Sequence, residues 1–187
     1  MAGYKLVTTV DLATETAGTS GLGARQAWLA APEIQAELTA ATLKFREPKK
    51  SKLEAEAAAF RAVGNAVIRR HCESQGIVVR SLSAVDSRAW AAAAVLGGVL
   101  ATDEWPMRLA ASKAEVDDDG NTLSLFTTIE LVHLLEKSGE LTRAQRIVLM
   151  RSWKISGEAI HRDTDATYRR LFNEEPPNAQ ADIDHKA

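Results

Sequence analysis

The stretch SAVDSRAWAAAAVLGGVLATDEW, residues 83–105, decides how the chain folds. It places one carboxylate, Asp86, near the start of an alanine-rich helix and a second, Asp103, at the end of a short apolar strand. Ala89–Leu96 carries the helix on small side chains, Gly97 and Gly98 stop it, and VLAT (99–102) follows as the strand. Just upstream, IVVR (77–80) is another short apolar run behind Gly76. The order is helix, strand, helix, strand.

Working outward, WPMRLAASK (105–113) reads as a short helix, DDDGN (117–121) as a turn, and LSLF (123–126) as a third apolar run. TTIELVHLLEKSGE then gives an amphipathic helix closed by Gly139. Toward the N-terminus, Leu53, Ala57, Phe60, Val63, Val67 and Ile68 recur at helical intervals over 53–74. REPKKSK (46–52) reads as a loop, and APEIQAELTAATLKF (31–45) as a helix with Pro32 in its first turn. YKLVTTV (4–10) has the composition of an opening strand. Helices and strands alternating at this pitch imply an α/β fold in three α/β/α layers, with a short central parallel sheet and right-handed crossovers. One domain is expected over residues 1–172, with 173–187 as a polar, proline-containing tail.

A net charge of −2 rules out a uniformly basic nucleic-acid binder but leaves room for a local basic groove. The single cysteine, Cys72, forms no internal disulfide. With no secretory pattern and no apolar run of membrane-spanning length, the chain is expected to be cytoplasmic and without membrane contact. His71, His133, His161 and His185 lack zinc spacing, and neither a glycine-rich phosphate loop nor a nucleophile elbow is present. DDDGN departs from a calcium loop, because Thr128 stands where a bidentate glutamate is needed.

Ligands of parallel α/β sheets bind at the carboxyl ends of strands, where the following helices begin. Asp86 and Asp103 both map to that edge. Carboxylates gathered there repel one another unless protonated or bridged by a cation, and hard divalent ions take such oxygen ligands.

The segments LSAVDSRAWAAAAVLGGVLATDEWPMRLAA and LSLFTTIELVHLLEKSGELTRAQ are similar to the second half of a PIN domain, over residues 77–146. The resemblance implies a metal-dependent endoribonuclease, a hydrolase using Mg²⁺ or Mn²⁺ on an RNA substrate. Such domains are often VapC-type toxins of a toxin–antitoxin pair, held by an antitoxin protein. By resemblance, Asp86 and Asp103 would be catalytic metal ligands, supported by Thr102. The family also expects an aspartate after its first strand and a glutamate in a later helix. In one alignment Asp11 and Glu37 supply them; in the other Glu15 is the glutamate and the first strand with its aspartate is absent. Metal-assisted phosphodiester hydrolysis asks for carboxylates because they ligate the cation that activates water. A catalytically degenerate PIN-like domain that binds RNA or protein is the alternative reading. Lys44, Arg46, Lys49, Lys50, Lys52, Arg69 and Arg70 are candidates for RNA phosphates. The closing amphipathic helices offer apolar surface for a homodimer.

Each acid also has a purely structural reading. Ser83 and Asp86 have capping-box spacing, and Asp103 stands where it could cap the next helix. Asp11, Glu15 and Glu37 fit solvated helix surfaces equally well.

Overall fold

A computed structural model describes residues 5, 7–17, 27–115, 120–156 and 163–178. Its centre is a long helix, α3 (Lys49–Gln75); α1 (Val10–Ala17), a 3-10 turn (Ala27–Ala30) and α2 (Pro32–Ala41) precede it. Leu53, Ala57, Phe60, Gly64, Ile68 and Cys72 recur every three or four residues of α3 and form its buried stripe. Against that stripe packs α4 (Ala84–Leu96), whose alanines let the two helix backbones approach. Phe60 stacks on Trp90, with ring centroids 4.7 Å apart and planes 8° from parallel. Gly64 sits opposite Leu82, Trp90 and Ala110, where there is no space for a side chain.

The sequence places the α3 start inside an expected loop, but the helix begins at Lys49. The Glu47 carboxylate accepts hydrogen bonds from the Ser51 N–H and hydroxyl, satisfying a donor of the first turn from within REPKKSK. At the other end Gly76 takes the left-handed conformation, φ 63°, and its N–H caps the helix.

After α4, Gly97 (φ 61°) turns the chain into β1 (Leu100–Ala101), followed by α5 (Trp105–Ala111) and β2 (Leu125–Phe126). The strands are parallel, with Leu100 opposite Leu125 and Ala101 opposite Phe126. Leu100 N–H donates to Ser124 O at 3.0 Å, and Thr102 N–H to Phe126 O at 2.9 Å. The chain is thus mixed α/β and mostly helical, with a two-stranded parallel sheet among the described residues.

Two expected strands take other forms. Of YKLVTTV, residues 4 and 6 lie outside the described residues, Thr8 makes an isolated parallel bridge to Thr42, and Val10 already belongs to α1. The Thr9 hydroxyl accepts from Leu12 N–H and the Thr9 carbonyl from Ala13 N–H, so local capping outweighs the β propensity of Val10. IVVR is extended but unpaired among the described residues.

The chain closes with α6 (Thr128–Lys137), α7 (Arg143–Ser156) and α8 (Thr164–Phe172) around Ile129, Met150 and Tyr168. Arg146, 1% exposed, threads this cluster. Its guanidinium bonds to Glu136, Glu174 and the Tyr168 hydroxyl and lies 4.0 Å from the centroid of the Phe172 ring. Burial pushes the Tyr168 hydroxyl above its ordinary range, although the Arg146 charge opposes it. Glu174 and Glu175 stand in the stretch expected as a loose tail, yet pair with Arg143, Arg146 and Arg169. Residues 179–187 of that stretch lie outside the described residues. Among the described residues no helix is long and apolar enough to cross a membrane.

Candidate functional site

Asp86 occupies the third position of α4. Its carboxylate accepts from Ser83 N–H at 2.9 Å, while the Ser83 hydroxyl accepts from Asp86 N–H at 3.0 Å. This reciprocal capping box satisfies two donors that the helix leaves open. From Asp86, α4 rises ~16 Å to Gly97, and the chain then passes through β1 to Asp103, two residues beyond Ala101.

There Asp103 is bound by a neighbour. Thr128 N–H lies 3.2 and 3.3 Å from its two oxygens, and the Thr128 hydroxyl donates to Oδ2. Thr128 opens α6, directly after β2, so Asp103 ties the end of β1 to the helix that follows the neighbouring strand. Thr127 and Glu130 complete that helix start with a second capping box. Burial pushes the Glu130 carboxyl up, but hydrogen bonds from Thr127 and the Arg170 guanidinium outweigh it and hold the group below the ordinary glutamate range. Thr102 uses its hydroxyl to accept from Glu104 N–H at 3.2 Å.

The third acid meets a cation supplied by the chain itself. Arg88, two residues beyond Asp86 on α4, grips Asp11 in α1 through Nε at 2.6 Å and Nη2 at 3.1 Å. This bidentate pair is the favoured geometry of guanidinium and carboxylate. Glu54 of α3 lies 4.0 Å from the same guanidinium. Glu15 and Glu37 are exposed on α1 and α2. Sequence reading missed Arg88; its signal was a basic residue flanking Asp86 on a helix already assigned to the strand-end edge.

The donor set bears directly on Mg²⁺ or Mn²⁺. Among the described residues no three His, Cys, Asp or Glu side chains gather closely enough to hold an ion. Asp11, Asp86 and Asp103 instead each direct their oxygens at protein donors. As arranged, they do not fit a divalent cation.

A separate feature lies at the far end of α4. A cleft of about 440 Å³ is lined by the apolar Leu43, Phe45, Pro48 and Leu96 and by the charged Lys44, Arg46, Lys49 and Glu47, three cations to one carboxylate. Lys50 and Lys52 extend the positive rim along the exposed first turn of α3. None of these five cations has an ion-pair partner among the described residues. Leu96 is ten residues beyond Asp86 on α4, a rise of about 15 Å along the helix.

No family model, no curated protein and no solved structure matches the chain.

Proposed function

We propose that the chain is a PIN-like domain that binds single-stranded RNA without cutting it, through the basic cleft at Leu43–Lys49. The observation that carries this reading is the separation of cations from acids along α4. Leu96, which lines the cleft, stands about 15 Å along α4 from Asp86, while Arg88 already neutralises Asp11. The cleft suits an unstructured strand. Phe45 and Leu43 provide an apolar floor for a base, and the lysines provide salt-sensitive, sequence-independent contacts to phosphate.

Fluorescence anisotropy with a labelled single-stranded RNA tests the proposal. Binding should be unaffected by chelator and should fall at least tenfold in the double variant Lys49→Glu/Lys50→Glu. Three phosphate contacts would give a log–log salt slope of about −2. Absence of RNA binding by the wild type would overturn the reading.

A metal-dependent endoribonuclease is the second reading, favoured by the place of Asp103 just past the carboxyl end of β1 in a parallel pair of strands. It requires that the bonds to Thr128 and Arg88 yield to a cation. Cleavage of the RNA in Mn²⁺, abolished in Asp103→Asn, would establish it and displace the first.

A further inference from the structure

Gly76 reverses the chain, and residues 77–82 run back beside the last turns of α3. Two contacts pin this course. Ile77 N–H donates to Cys72 O at 3.0 Å. At the other end Leu82 N–H donates to Asn65 Oδ1 at 2.8 Å, and Arg61 Nε donates to Leu82 O at 3.2 Å. The helix rises ~15 Å from Asn65 to Gln75, and the extended residues from Ile77 to Leu82 span about the same distance. The segment is therefore drawn straight between its pins.

Between the pins, no hydrogen bond among the described residues engages the backbone of Val78, Val79, Arg80 or Ser81. The side chains are also open. Val78 is 87% exposed, Ile77 48% and Val79 49%, and Val63 of α3 is 49% exposed. A straight, β-branched segment with unsatisfied backbone groups is an unpaired strand edge, a template for a further strand. A partner strand could satisfy those groups while covering the valines.

Charge selects the occupant. Arg61, Asn65 and Arg69 are spaced four residues apart and form one row of α3, the row that touches Leu82 at its near end. Arg80 adds a cation on the segment itself, and Arg70 stands beside the row. Arg69, Arg70 and Arg80 have no ion-pair partner among the described residues; the acid in the row is Glu73, one turn beyond Arg69. A second copy paired to this edge would bring two arginine-bearing rows together around one ladder. We infer that residues 77–80 receive an acidic, extended segment of a partner protein as an added β-strand, its main chain on Val78–Ser81 and its carboxylates on Arg69 and Arg80.

The probe is a fluorescein-labelled heptapeptide alternating glutamate and valine, with a lysine–valine peptide as its counterpart. Anisotropy should show binding of the acidic peptide alone, and Arg69→Glu/Arg80→Glu should weaken it at least tenfold. Because successive strand N–H groups point to opposite sides, one of Val78→Pro and Val79→Pro should also weaken it at least tenfold. Both substitutions are at exposed positions, and circular dichroism would verify that the variants fold. Lys49→Glu/Lys50→Glu should leave peptide binding intact, which separates this edge from the RNA cleft. Equal binding of both peptides, no binding, or indifference to both prolines would overturn the inference. A wild-type dimer seen by light scattering and lost in a proline variant would also overturn it, by making the second copy the occupant.

Discussion

Gly64→Ala probes the packing on which both proposed surfaces depend. A Cβ at Gly64 would lie 2.6 Å from Leu82 Cδ1, 3.1 Å from Trp90 Cζ3 and 3.2 Å from Ala110 Cβ. Ordinary carbon contacts need about 3.5–4.0 Å, so Leu82 would have to retreat by about 1 Å. It has little freedom to do so, because its N–H and carbonyl are held by Asn65 and Arg61 and it is 1% exposed. Overpacking of this kind costs about 3 kcal/mol at the upper end, and with three close contacts we assign that value. Alanine returns about 1 kcal/mol in helix propensity. The expected net loss is about 2 kcal/mol, or roughly 4–8 °C in Tm for a chain of this size. Gly98→Ala is the control, since its Cβ meets only Ala93 O at 3.6 Å and Ala93 Cα at 3.9 Å; it should change stability by less than about 1 kcal/mol. In a Leu82→Ala background the shortest contact is gone while those with Trp90 and Ala110 remain, so Gly64→Ala should cost clearly less than about 2 kcal/mol there. Urea denaturation of the four chains measures the cycle. A Gly64→Ala protein as stable as wild type would refute the packing described for α3.

Three other perturbations follow from the polar contacts. Asp103→Ala removes the acceptor for Thr128 and should cost about 1–2 kcal/mol in urea denaturation while leaving RNA affinity within twofold; a large affinity loss at unchanged stability would show that Asp103 faces the ligand. Arg146→Ala takes away the guanidinium held by Glu136 and empties the buried space beside Phe172, while Glu174 keeps Arg143; it should destabilise by about 2–5 kcal/mol in the same assay. Acidification should loosen the C-terminal helices. Hydrogen bonds from Arg143 hold the Glu174 carboxyl below its ordinary range, and Glu130 is lowered too, so their contribution is present above the unfolded value near 4.3 and is lost as pH falls through the folded values. The urea midpoint should fall below about pH 4.5, and Glu130→Gln/Glu174→Gln should flatten that fall; an unchanged pH profile in the variant would contradict the assignment.

Much of the scaffold is legible in particular residues. Gly97–Gly98 after the alanine run, Pro32 in a first turn and the apolar recurrence along α3 each act locally, so sequence order is enough to read them. The capping spacing of Ser83 and Asp86 is legible in the same way, and the structure realises it. What escapes is long-range partnership. Nothing near Asp11 in sequence announces Arg88, 77 residues away, and nothing in IVVR says whether a neighbouring strand will reach it. The opening strand fails for a related reason: the Thr9 hydroxyl offers the next residues a local alternative to a ladder. Asp103 does follow a strand and Asp86 follows the unpaired IVVR, but position alone does not reveal which donors claim their oxygens.

The length of α3 sets a scale for anything assembled on this protein. Its 27 residues form a strut of about 40 Å, with the lysine-rimmed cleft at one end and the open valine edge along the last turns at the other. Occupants of the two ends would be about 25–35 Å apart, too far to compete sterically, and held at a spacing that a continuous helix does not let vary. With both proposed occupants in place, such a part would work as a gauge, presenting a bound strand and a bound protein to each other at one distance.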